Sequence, residues 1–207
     1  SFQVVNKIRW LIKKQYGIKK IKVGHAGTLD PLAEGLLIVC TGKMTKKITE
    51  FQNLSKTYTG KFYLGASTPS FDLETEISEK KSIDHLNDDI IQQATTEFKG
   101  KILQTPPIYS AIKHKGKKLY EFARKGETVT IKSREVFIHE FIISKINLPE
   151  INFKISCSKG TYIRSLANDY GTKLNCGAHL KELKRTAIGD YKLQNSISIE
   201  DFEKKLK

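Results

Sequence analysis

The segment Gly24-His25-Ala26-Gly27-Thr28-Leu29-Asp30-Pro31-Leu32-Ala33-Glu34-Gly35 packs three glycines, a histidine and two acids into one stretch, more than a simple turn needs. Glycines at 24 and 27 let backbone approach a ligand closely, and Pro31 biases Asp30 away from the helical region, which fixes the direction of its carboxylate. A lone Asp-Pro is an ordinary turn opener. In this company it points to a pre-oriented carboxylate, able to act as a nucleophile or as a counter-ion to positive charge developing on a substrate. His25 has no second His or Cys at metal-ligand spacing near it, so no metal site is expected.

Three further groups of residues carry chemistry. Tyr58, in Lys56-Thr57-Tyr58, offers an aromatic face and an ionisable oxygen. Tyr162 and Arg164 follow the glycine turn Lys159-Gly160-Thr161 and fall in the first turn of an expected helix, where their side chains can face a common site. The run Lys113-His114-Lys115-Gly116-Lys117-Lys118, with Arg124 beyond it, suits phosphate groups or a solvated face.

The elements that must position these residues can be read from periodicity. Val4, Val5, Ile8, Leu11 and Ile12 recur at helical spacing between Ser1, a possible cap, and Gly17, a stop signal. The apolar run from Leu36 to Thr41 reads as a buried strand, so the 24–35 loop is held by core at both ends. A short helix is expected over Lys43 to Phe51, and Lys56 to Leu64 alternates as a half-buried strand, with Tyr58, Gly60, Phe62 and Leu64 on one face. A polar loop from Gly65 to Asp72 precedes an amphipathic helix marked by Leu86, Ile90, Ile91, Ala94 and Phe98, with Asp84 as its cap and Gly100 as its end.

Residues 101–134 differ in character, with Pro106-Pro107, a short Tyr109 to Ile112 strand, the basic run, and one small helical face of Leu119, Phe122 and Ala123. They read as a thinly anchored arm, suited to binding. Val136 to Ile143 and Ile151 to Cys157 form an expected hairpin around Asn147-Leu148-Pro149-Glu150. Ile163, Leu166, Ala167, Tyr170 and Leu174 make one helical face, and His179 to Arg185 and Tyr191 to Leu193 read as the last strands before a short helix capped by Ser198. The whole is an expected α+β domain on a mixed, mostly antiparallel sheet flanked by helices, a single domain over 1–207.

Lys and Arg number 36 against 22 Asp and Glu, a net charge of +14, which favours a polyanionic partner such as nucleic acid. Three widely spaced cysteines without a C-x-x-C pair argue against disulfides and structural zinc, and Cys40 and Cys157 read as buried small hydrophobes. No apolar run is long enough to cross a bilayer and the first residues lack a secretion signal, so no membrane partner and a cytoplasmic location are expected.

Val23 to Ala33 resembles the nucleophile motif of the TruB-type tRNA pseudouridine-55 synthases. The likeness extends, in the family's order, to Lys56-Thr57-Tyr58, to Cys157-Ser158-Lys159-Gly160-Thr161-Tyr162-Ile163-Arg164-Ser165-Leu166, and to Gly177-Ala178-His179-Leu180-Lys181-Glu182-Leu183-Lys184-Arg185-Thr186. Ile108-Tyr109-Ser110-Ala111 with Gly116-Lys117-Lys118-Leu119-Tyr120 is similar to the family's RNA-gripping thumb, which makes the arm a thumb-like insertion. Two departures stand out: the Lys-Pro segment that usually precedes the family's Thr-Ser-Phe start does not stand before Ser1-Phe2 in the sequence given, and no C-terminal RNA-binding PUA domain is expected.

The resemblance implies a pseudouridine synthase catalytic fold and conversion of the T-loop uridine of tRNA to pseudouridine, without cofactor, guide RNA or obligate protein partner, by a monomer. It makes Asp30 the essential carboxylate, Arg164 its charge partner, and Tyr58 the residue that stacks on the target base and moves a proton. Tyr162 and Leu183 line the base pocket, His25 fills the stack that a flipped nucleotide vacates, and Lys113, Lys115, Lys117, Lys118 and Arg124 hold phosphates. The alternatives are a guide-RNA-dependent relative of the dyskerin type and a non-catalytic RNA-binding or chaperone module.

Overall fold

A computed structural model of the chain describes residues 1–114, 116–127 and 129–206. In chain order its helices and strands begin with α1 (Phe2–Tyr16), β1 (Val23–His25), β2 (Ala33–Gly35), β3 (Val39–Thr41), α2 (Ile48–Asn53), β4 (Lys56–Leu64), β5 (Ala66–Ser67) and β6 (Glu79–Lys80). There follow α3 (Asp88–Ala94), β7 (Gly100–Gln104), β8 (Lys113–His114), β9 (Lys117–Lys118), α4 (Leu119–Ala123), β10 (Arg134–Asn147) and β11 (Glu150–Cys157). Last come α5 (Ile163–Lys173), β12 (Ala178–Ile188), β13 (Tyr191–Lys192) and α6 (Ile199–Lys205). They form two compact units, Ser1–Thr57 with Lys184–Lys207, and Tyr58–Leu183.

In the first unit the apolar stripe of α1 forms as its spacing dictates, burying Val5, Ile8, Leu11 and Ile12. Gly17 ends it in the left-handed conformation, φ 62°. Val5, Ile8 and Ile12 pack with Val23, and Val39, Phe202 and Leu206 close over them, so α1, β1, β3 and α6 share one small core. Strands β1 and β3 pair antiparallel, with Gly24 opposite Cys40 and His25 opposite Val39. The expected strand from Leu36 is shorter, because Leu36 N–H donates elsewhere, to the carbonyl of Arg185 at 2.8 Å. The expected helix over 43–51 is split into a 3-10 turn, Gly42–Lys47, and α2. There the Thr45 hydroxyl bonds back to Gly42 O at 2.8 Å, a local competitor of α-helical geometry.

The second unit is built on a sheet in the order β12-β4-β11-β10-β7, whose strand pairs β10–β11 and β10–β7 are antiparallel. Alternation along β4, β10 and β11 turns Phe62, Leu64, Phe141, Ile143, Phe153 and Ile155 inward, against Leu166, Ala167 and Tyr170 of α5 and Ile91 of α3. The rings of Phe62 and Phe153 lie 4.3 Å apart, and fully burying a side chain of this size contributes roughly 1.5–3 kcal/mol. Backbone approach is tightest at Gly60, where a Cβ would come within 2.0 Å of Glu182 O.

Four local readings need correction. The cap of α3 is Asn87, whose Oδ1 accepts from Ile90 N at 2.9 Å, while Asp84 turns to Ser82. The helix is also shorter than its apolar markers imply: Ile90 is exposed, and Phe98 ends a separate 3-10 turn. Finally, Tyr109 to Ile112 is not a strand; the carbonyls of Ser110 and Ile112 accept instead from the first two residues of α4, Tyr120 N–H to Ser110 O and Leu119 N–H to Ile112 O. The strands form instead within the basic run, where Lys113 pairs with Lys118 and His114 with Lys117, and Gly116, φ 84°, lies between them. Lys101–Gln104 belong to the sheet, paired with Arg134–Phe137, so the arm proper is 105–133.

Candidate active site

The loop that carries Asp30 is fixed from three sides within the first unit. Its turn is closed by Ala33 N–H to Asp30 O at 3.0 Å, with Pro31 where a turn favours a fixed φ. Leu29 N–H donates to the Ser1 hydroxyl at 2.9 Å. The third support is Arg185, only 1% exposed, whose Nε donates to Leu36 O at 2.8 Å and Nη2 to Gly27 O at 3.1 Å. One guanidinium therefore ties both ends of the loop, and each charge-assisted bond is of the order of 1.5–3 kcal/mol.

The glycines serve this assembly. A Cβ on Gly35, φ 111°, would reach within 2.3 Å of Arg185 O, and one on Gly24 within 2.7 Å of Ile48 Cδ1. Gly24 thus makes room for α2, where the sequence suggested room for a ligand. His25 is half-buried, and among the described residues its Nδ1 has no hydrogen-bond partner. Burial first, then nearby positive charge including Arg185, lowers its pKa below the usual 6.5, against a smaller opposing effect from Gly27 backbone.

Tyr58, Tyr162, Arg164 and Leu183 belong to the second unit. Tyr58 and Leu183 are partly buried against its core. Arg164 is no surface ion: it is 2% exposed, with Nε 3.5 Å from Asp72 Oδ2 and Nη1 3.4 Å from Ser70 O and 4.0 Å from Glu74 Oε2. Taking a guanidinium out of water demands such company. Asp72 is itself buried, and the loop that delivers it is pinned by the hydroxyls of Thr68 and Ser70, which donate to Asp72 O at 2.6 and 3.1 Å. The polar loop expected at 65–72 is thus buried at Thr68, Ser70 and Asp72, whose polar groups satisfy one another.

Tyr162, the residue before α5, is gripped on both main-chain groups by Gln104: its N–H donates to Gln104 Oε1 at 2.8 Å and its carbonyl accepts from Nε2 at 3.0 Å. The Arg134 guanidinium lies over its ring, 4.8 Å from the centroid, and donates to Gly160 O. Asp72, Gln104, Arg134 and Arg185 are the residues that sequence reasoning missed as parts of these assemblies.

The basic arm is assembled differently. Lys113 and Lys117 are exposed on the β8–β9 hairpin. Lys118 and Arg124 flank one ring: Lys118 Nζ lies 5.4 Å and Arg124 Cζ 5.2 Å from the Tyr120 centroid, and Lys118 also reaches its hydroxyl at 3.3 Å. Lys115 lies outside the described residues. Among the described residues no group of His, Cys, Asp and Glu could hold a metal ion, and no helix is long and apolar enough to cross a membrane. All three cysteines are buried free thiols.

Comparison with known proteins gives a consistent picture. The TruB family pseudouridylate synthase N-terminal domain matches residues 13–163, and the tRNA pseudouridylate synthase B C-terminal domain matches 164–207. The tRNA pseudouridine synthase B of Flavobacterium johnsoniae is 56% identical over 207 residues, covering all of this chain and 90% of the relative. That of Phocaeicola vulgatus is 52% identical over 98% of this chain and 86% of its own. Among solved structures, a Cbf5-Nop10-Gar1 complex matches with TM-score 0.70 and 28% identity over 95% of this chain. An H/ACA RNP bound to a substrate RNA containing 2'-deoxyuridine matches with TM-score 0.67 and 25% identity over 96%. The chain spans about half the length of those two, 49% and 48%.

Proposed function

Since the chain belongs to the TruB family of pseudouridylate synthases, we propose that it isomerises the T-loop uridine at position 55 of tRNA to pseudouridine, acting alone on its substrate. In this reaction the bond between the ribose anomeric carbon and uracil N1 breaks, the ring turns, and a bond to C5 forms, with the C5 proton lost and N1 protonated. Nothing is oxidised or reduced, so the step needs no cofactor.

Asp30 is the essential group. An ionised carboxylate supports departure of the base as nucleophile or as counter-ion to charge developing on the sugar. Arg164 serves as its charge partner, and Tyr58 stacks on the base and moves the proton. Tyr162 and Leu183 line the base pocket. A stacked uridine has to leave its stack to reach such a group, and His25 fills the space left behind. Lys113, Lys115, Lys117, Lys118 and Arg124 hold backbone phosphates of the T-arm, in keeping with the net charge of +14. The chain works as a monomer in the cytoplasm, without a protein partner.

The observation that carries this reading is the 56% identity to a protein named tRNA pseudouridine synthase B over the whole length of this chain. A second reading, dependence on a guide RNA, draws on the likeness to H/ACA assemblies, but that likeness stops at 25–28% identity and half of those chains. The test is incubation with unmodified T-arm RNA and no other RNA, followed by pseudouridine mapping. Product at the T-loop uridine is expected; no product under binding conditions would overturn the catalytic reading, and product only after addition of a guide RNA would replace it with the second.

A further inference from the structure

The arm and Tyr162 share parts. Gln104 and Arg134 face each other across the β7–β10 ladder and are the last paired residues before the chain leaves the sheet for residues 105–133. Both turn to the same target. Gln104, fully buried, spends its amide on the two main-chain groups of Tyr162. Arg134 covers the Tyr162 ring and holds Gly160 O, two residues earlier.

Further contacts make the root a single assembly. Thr105 and Ser133 hydroxyls bond to each other at 2.8 Å where the arm begins and ends, and the Ser165 hydroxyl donates to Thr105 O at 2.8 Å. Ser158 and Phe137 exchange two bonds, Phe137 N–H to Ser158 Oγ at 2.9 Å and Ser158 N–H to Phe137 O at 2.8 Å. Among the described residues Arg134 has no carboxylate partner, and its shielded Nε bonds to nothing, so the Tyr162 ring and Gly160 carbonyl are what hold it. An ion-pair role would have left a carboxylate beside it. A guanidinium lying on a ring fixes the plane of that ring, and an amide bonded to both neighbouring main-chain groups fixes where the ring starts.

We propose that Gln104 and Arg134 are positioning residues for Tyr162, setting the base-pocket wall from the root of the RNA-binding arm. The inference rests on the proposed role of Tyr162 against the target base. Neither residue touches substrate; each acts through Tyr162, so its loss slows the chemical step and spares the grip on RNA.

Single-turnover kinetics on T-arm RNA, with RNA affinity measured separately, read this directly. Gln104→Leu removes both bonds, and Arg134→Gln removes the cation over the ring. Each is expected to slow the saturated rate about tenfold to a hundredfold, with the dissociation constant for RNA changed by less than about threefold. Arg134→Lys, which keeps charge without the planar fork, falls between. In a Tyr162→Ala background Arg134→Gln is expected to change the rate by less than about twofold, since a residue acting through Tyr162 has nothing left to position.

Should Gln104→Leu fail to fold, Arg134→Gln, at a partly exposed site, carries the test. Saturated rates within about twofold of the wild type, or an Arg134→Gln effect undiminished in Tyr162→Ala, would overturn the inference while wild-type activity leaves the function standing. A wild-type protein that binds T-arm RNA and makes no pseudouridine overturns both.

Discussion

The Asp30 loop and the basic arm are both irregular chain, and they are held in opposite ways. The loop hangs on a guanidinium that is 1% exposed and, among the described residues, bonds only main-chain carbonyls, with Gly35 fitted to the backbone of Arg185. The arm consists of two-residue strands and a five-residue helix, with Leu119 its one buried large apolar side chain among the described residues and its cations resting on an exposed hairpin and a tyrosine ring. A reacting carboxylate needs a backbone that does not give, whereas a phosphate-binding surface works with side chains free to adjust. Substitutions in the two regions should therefore part stability from affinity.

The largest effect belongs to the proposed reacting group: Asp30→Asn should lower turnover by at least about a thousandfold while RNA affinity, measured by filter binding, changes little. Retained turnover would take Asp30 out of the chemistry. Next, Arg185→Met strips the loop of two charge-assisted bonds and should lower stability by about 2–4 kcal/mol in denaturant titration, with turnover falling further than affinity. Arg185→Lys should recover only part of this, because an ammonium cannot span two carbonyls as a fork does. A wild-type unfolding curve for Arg185→Met would show that the loop holds itself.

On the arm side, Lys117→Ala with Lys118→Ala should leave stability within about 0.5 kcal/mol and weaken RNA binding, with the salt dependence flattened by roughly one to two phosphate contacts. An unchanged salt slope would return both lysines to solvated surface. The smallest effect is a pH dependence at His25. Its folded-state pKa is lowered, chiefly by burial, so as pH falls through about 6.5 the unfolded chain takes up the proton first and stability declines, while above that value nothing is lost. His25→Asn should flatten the decline of stability below about pH 6.5, and Arg185→Gln should let the His25 resonance titrate closer to its ordinary value. A His25 titration already at 6.5 in the native protein would remove this link.

Where the sequence was legible, periodicity made it so. The stripe of α1, the extent of β4, the β10–β11 hairpin and the buried face of α5 all follow from apolar spacing and turn residues. The turn at Asp30 could be read because Pro31 constrains it locally. Arg185 could not, since its partners lie 149 and 158 residues away and are carbonyls, which every residue possesses. The same holds for Gln104, whose Tyr162 partners are main-chain atoms 58 residues on. Asp72 was hidden by its surroundings: a run of hydroxyls and acids looks solvated until it folds onto a buried arginine. In the arm, a string of like charges masked a hairpin that Gly116 makes geometrically simple.

Gly60 bears on inheritance as well as on packing. A side chain there would meet Glu182 O at 2.0 Å, at Gly35 the backbone of Arg185 at 2.3 Å, and at Gly171 the nitrogen of Ala178 at 2.2 Å. In each case the obstacle is main chain, which cannot swing aside as a rotamer can. In a library of random variants selected for a folded product, those three columns would come back empty of everything but glycine, marking from genotype alone where strand, loop and helix backbones of this protein press closest to their neighbours.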